Sequence, residues 1–186
     1  MKLPALATLA AIASLSLTAP TQAVILSGSV TSGPEGAVFQ ELHPFSVFSV
    51  GSDNFDSPNL YGFNEDQNIL LTTTLAVNIG RTVTEGQTVA SHYIFFDPRR
   101  SARIQGTVIF DAEIIGIATN RANLNASDIL QNNAVTYLSP NARGLEAQDS
   151  VSFSGPTLTL DFRASSPGDY IRVFTQESPT ASIPAP

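Results

Sequence analysis

Apolar and polar residues alternate in short bursts along most of this chain, and two bursts dominate. One is Thr88–Phe96, TVASHYIFF. The other covers residues 103–118, RIQGTVIFDAEIIGIA, after a polar loop with Pro98, Arg99 and Arg100. β-branched and aromatic runs divided by a polar turn predict a pair of β-strands. The second run is too long for a single alternation, because Val108 and Phe110 fall on one face and Ile115 and Ile117 on the other. A β-bulge between Asp111 and Glu113 is the expected register change.

The same patterning predicts strands over residues 37–42, 45–50, 59–63, 69–79, 151–154, 157–163 and 170–175, with an edge strand entering over 24–36 and turning at Pro34. Turn formers punctuate them: GSDNFDSP at 51–58, NEDQN at 64–68, Pro156, and SSPGD at 165–169. Residues 80–87 and 133–148 read as loops. The only helical segment lies within 119–132, where Asn125 or Ser127 caps a turn through Asp128, Ile129 and Leu130. About nine to eleven short strands at regular spacing predict one all-β domain over residues 24–176. Its expected form is a two-sheet antiparallel sandwich, jelly-roll-like in one arrangement.

The amino terminus changes where this domain is expected. Met1 and Lys2, an apolar stretch to Thr18, and the small-x-small triplet Thr21-Gln22-Ala23 make residues 1–23 a secretory signal peptide cut after Ala23. Residues 177–186 form a Ser/Pro/Ala tail expected to be disordered. Lys2 is the only lysine, so the mature chain has eight arginines against sixteen acidic residues, a formal charge of −8. Such a body is not drawn to nucleic acid or anionic lipid, and no mature stretch is apolar for long enough to span a membrane. The absence of cysteine excludes disulfides, thiol chemistry and cysteine metal sites.

Five stretches also carry a resemblance. NLYGFNEDQNILL, SHYIFFDP, TVIFDAEIIGIAT, RGLEAQDSVS and LDFRASSPGDYIRVFT, between residues 59 and 175, together resemble a group of uncharacterised exported bacterial proteins, a resemblance that covers residues 40–175. Many of that group end in a PEP-CTERM sorting tail. The resemblance implies a secreted or surface-associated β-sandwich and supplies no catalytic residue, substrate or cofactor. Here Ser182-Ile183-Pro184-Ala185-Pro186 stands where the Pro-Glu-Pro motif would be, without the apolar helix and basic cluster that follow it in the group. A free secreted form is therefore expected.

Candidate chemistry is sparse. His43 and His92 are the only histidines; strand neighbours point to opposite faces, so Ser91 and His92 do not form a nucleophile–base pair. Asp111 and Glu113 share a face if their strand is regular, at the spacing of paired hydrolase carboxylates. The mature chain has no Trp and only Tyr61, Tyr93, Tyr137 and Tyr170 as polar aromatics, which weakens a sugar-processing reading. Asp53 and Asp56 in one loop, and Glu65 and Asp66 in another, are the candidate calcium ligands, because calcium takes six to eight hard oxygens from carboxylate-rich loops. Arg99, Arg100 and Arg103 form a basic tip expected to pair with Asp97. Asp161, Arg163 and Arg172 are expected to pair across the last two strands. The function implied is an exported, non-enzymatic domain with a surface, extracellular-matrix or adhesive role, in contact with an extracellular polysaccharide or matrix protein. Alternatives are a calcium- or carbohydrate-binding module and a carboxylate-dependent secreted hydrolase.

Overall fold

The computed structural model describes residues 24–43 and 47–177. The expected signal peptide, Phe45 and Ser46 of the 45–50 strand, and all of the tail beyond Glu177 lie outside the described residues. An all-β sandwich is what forms. One sheet has four antiparallel strands in the order β1(Ile25–Ser32), β8(Ile104–Phe110), β12(Thr157–Phe162), β11(Ser150–Ser154). The larger sheet runs β2(Phe39–Glu41), β4(Leu60–Asn64), β7(Thr88–Phe96), β13(Asp169–Gln176), β9(Ile114–Ala118), β6(Ile79–Gly80), with β5(Ile69–Leu70) pairing to β7. Two short parallel pairings make the whole mixed rather than antiparallel throughout. One is β2 with β4, and the other is a separate ribbon of β3(Phe48–Val50) with β10(Val135–Tyr137).

Patterning explains the layers. β8 and β12 alternate buried with exposed or half-buried residues, so the four-stranded sheet packs one face and shows the other to solvent. β7 and β13 are buried on both faces. Leu60, Ile94, Phe96, Ile117, Ile171 and Val173 face the small sheet and meet Ile104, Val108, Leu158 and Phe162 in one core. Tyr61, Phe63, Tyr93, Phe95 and Phe174 form a second core on the opposite face. That core is roofed by Val50 and Val135 of the ribbon, Leu124 of the helix α1(Arg121–Ala126), and Leu130 of the 3₁₀ turn Asp128–Leu130. No helix among the described residues is long and apolar enough to cross a membrane.

Five further expectations need correction. β7 and β8 are not partners: β7 pairs with β13 and β4, and β8 pairs with β1 and β12, so the Pro98–Arg100 loop carries the chain between sheets. The register change at Asp111–Glu113 is likewise a crossing from the small sheet to the large one, not a bulge within one strand. Residues 69–79 are not one strand; only Ile69–Leu70 and the later Ile79–Gly80 pair, with a lone bridge between Leu75 and Val83. The 133–148 loop contains strand β10. The helix starts earlier than expected, where Asn120 accepts the Asn123 amide at 2.9 Å.

Candidate functional site

His92 and the second acidic turn are committed to structure. His92 is fully buried between the sheets, with Nδ1 2.8 Å from Asn64 and Nε2 3.1 Å from Thr175, and its ring packs on Phe110. Burial pushes it down to about 3, so it is neutral. His43 is exposed in the segment after β2. Glu65, an expected calcium ligand, is 3 % exposed and already saturated. Arg172 grips its carboxylate with Nε and Nη2 at 2.6 and 2.8 Å, and the Ser91 and Tyr137 hydroxyls donate to it, each at 2.6 Å. Arg172 also reaches the Leu124 carbonyl, Ser127 and Asp128, and lies over the Tyr93 ring. Asp66 is half-buried; its amide donates to the Leu130 carbonyl, and its carboxyl is raised by burial and by Glu65.

The first acidic loop lies elsewhere. Ser52, Asp53 and Asp56 take left-handed backbone conformations, and the loop clamps Asp97 at the end of β7. The Phe55 amide donates to Asp97 Oδ2 at 3.0 Å, the Ser57 amide to the Asp97 carbonyl at 2.9 Å, and Ser166 bonds to Asp53. Asp97 is wholly buried and raised by burial, against the pull of the Phe55 amide. It therefore does not pair with the arginine tip. Arg103 pairs with Asp161 instead, which corrects both expected pairings, while Arg163 reaches Gln148. Asp111 Oδ1 accepts the Val24 amide at the crossing between sheets, and Glu113 is exposed beyond it, so the regular two-residue spacing of a hydrolase pair does not exist.

The acidic side chains that do converge are Glu146, Asp149 and Asp169, whose carboxylate oxygens lie within 4.8 Å of one another. Asp169 opens β13 opposite Phe96, on the face that carries Ile171 and Val173, so it closes one end of the inter-sheet core. Asp149 precedes β11 and accepts the amides of Glu146 at 2.7 Å and Arg163 at 2.8 Å. Glu146 is exposed, Asp149 half-buried and Asp169 only 1 % exposed, a graded series from rim to floor. Neither Asp169 oxygen has a hydrogen-bond partner among the described residues. Burial, the Asp149 charge and the facing Glu146 carboxyl push Asp169 up to about 9. Glu146 borders an open depression of about 630 Å³, shared with Arg103, Gln148, Arg163 and Ser165.

No local motif marks this trio. Glu146 and Asp149 precede one strand and Asp169 begins another, and only the sheet topology joins them. The one available signal is a carboxylate at the head of the strand run 169–174, whose same-face residues Ile171 and Val173 are apolar. Comparison with family models, curated proteins and solved structures finds no match to this chain.

Proposed function

We propose that this protein is an exported β-sandwich that works by binding rather than catalysis, at the cell surface or in the extracellular matrix, with a neutral polysaccharide as its partner. The observation that carries this reading is a row of hydroxyls across the open face of the small sheet. Ser29, Thr107, Thr159 and Ser152 are successive cross-strand neighbours on β1, β8, β12 and β11. Ser29 and Thr107 bond at 2.9 Å, and a shallow depression of about 370 Å³ runs beside the row. Strands lie about 4.8 Å apart, so the row offers evenly spaced donors and acceptors to an extended chain of sugars. The net negative charge favours a neutral partner over an acidic one. Tyr61, Tyr93 and Tyr170 are buried, which favours hydroxyl contacts over ring stacking. Groups that the sequence offers for catalysis are engaged in the fold: His92 is neutral with both ring nitrogens hydrogen-bonded, and Asp111 accepts the Val24 amide where the chain crosses between sheets.

The test is sedimentation of the mature chain with neutral polysaccharide from the producing cells. Cosedimentation that is lost in Thr107→Glu and Thr159→Glu, both with an unchanged melt, supports the reading. Retention of the chain in the cytoplasm, release of reducing ends, or binding untouched by both substitutions contradicts it.

A further inference from the structure

We infer that Glu146, Asp149 and Asp169 form a calcium site. The inference rests on the binding reading above and names a ligand for the same module, at the end of the sandwich rather than on its open face.

Geometry comes first. Calcium–oxygen distances of about 2.3–2.6 Å place two ligand oxygens on one ion up to about 5 Å apart. The three offered oxygens meet that limit, all lying within 4.8 Å of one another. All the side-chain donors are carboxylates, which suit a hard cation and not a soft one.

The second observation is Asp169 itself. It is 1 % exposed, and both its oxygens lack a hydrogen-bond partner among the described residues. Buried carboxylates are ordinarily paired, hydrogen-bonded or bound to metal. This one points at two further carboxyls, so its own neighbours worsen its position. A divalent ion supplies the missing partner and offsets the repulsion at once.

The supporting frame fits a site that fills from outside. Asp149 is oriented by the amides of Glu146 and Arg163, which leave lone pairs on both of its oxygens. Gln148, between the two rim residues in sequence, is held by Arg163 Nη1. Glu146 reaches the 630 Å³ depression, which admits the ion and the waters that complete its shell. The four residues first expected to hold calcium lack this combination, because Glu65 is saturated by Arg172, Ser91 and Tyr137.

Calorimetric titration of calcium into the chelator-stripped full chain tests the inference. One saturable site is expected, with a dissociation constant between about 10⁻⁵ and 10⁻³ M and magnesium at least about tenfold weaker. Asp169→Asn and Glu146→Gln should each weaken calcium about tenfold or more while keeping the circular dichroism of the wild type. Asp169→Asn is nearly isosteric, so it keeps the test valid if Asp149→Asn unfolds the loop. No heat at about 10 mM calcium, or calcium affinity unchanged in Asp169→Asn, overturns the site. No calcium heat in the unsubstituted chain with cosedimentation intact sinks this site and leaves the binding reading standing; calcium binding that depends on Asp169 without cosedimentation does the opposite.

Discussion

At the scale of single residues, the polar interior is concentrated in two places with different physics. Arg172 and Glu65 are a fully buried bidentate pair, and each remaining polar atom of the pair has a named partner. Removing one member strands the other charge in the core, which costs about 3–5 kcal/mol. Glu65→Gln or Arg172→Met should therefore lower stability by about that amount in urea unfolding, and the double variant should recover part of it. Equal losses that simply add would show that the pair is not coupled. His92 is a neutral ring held by Asn64 and Thr175. Its pKa falls from 6.5 in the unfolded chain to about 3 in the folded one. The folded state thus refuses a proton that the unfolded state accepts, so stability is full above about 6.5 and is lost as pH falls toward 3. The slope between those limits is about 1.4 kcal/mol per pH unit from this group. Urea unfolding from pH 7 to pH 4 should show it, and His92→Gln should flatten the curve.

Among elements, close approach decides tolerance. Gly106 on β8 lies where an added Cβ would meet the Ser29 carbonyl of β1 at 2.5 Å. Gly106→Ala should then push β1 off its partner and destabilise the domain by about 1–3 kcal/mol, with amide exchange rising first over residues 25–32. Uniform loss of protection across both sheets would contradict that local origin. Arg103→Ala, by contrast, removes an exposed, solvent-screened pair with Asp161 and should leave the urea midpoint essentially unchanged. Strand identity at this scale was legible wherever alternation or a two-sided apolar run was strong. Residues 88–96, 151–154 and 157–162 formed strands as their patterns predicted. Pairing was not legible, because a loop such as Pro98–Arg100 has the composition of a hairpin turn whether it joins neighbours or crosses between layers. β10 was hidden for a related reason: three residues of parallel ribbon leave no periodicity to read.

For the whole molecule, the two sheets and the helical roof gather polar groups at one end and along one face. Glu146 and Asp149 sit before β11 and Asp169 at the start of β13, far apart in sequence, and the sandwich topology makes them neighbours. That is why the candidate site could not be read from the chain, although calcium as a ligand class could be argued from its acidic loops. Calcium bound at this end should tie the β11 and β13 segments together and raise the melting temperature of the full chain by several degrees at about a hundred times the dissociation constant. The most direct measurement is anomalous diffraction from crystals of the protein grown in millimolar calcium. The account predicts one peak bounded by oxygens of Glu146, Asp149 and Asp169 at about 2.4 Å. Asp169 and Glu146 hydrogen-bonded to each other through a shared proton, with no ion between them, would contradict it.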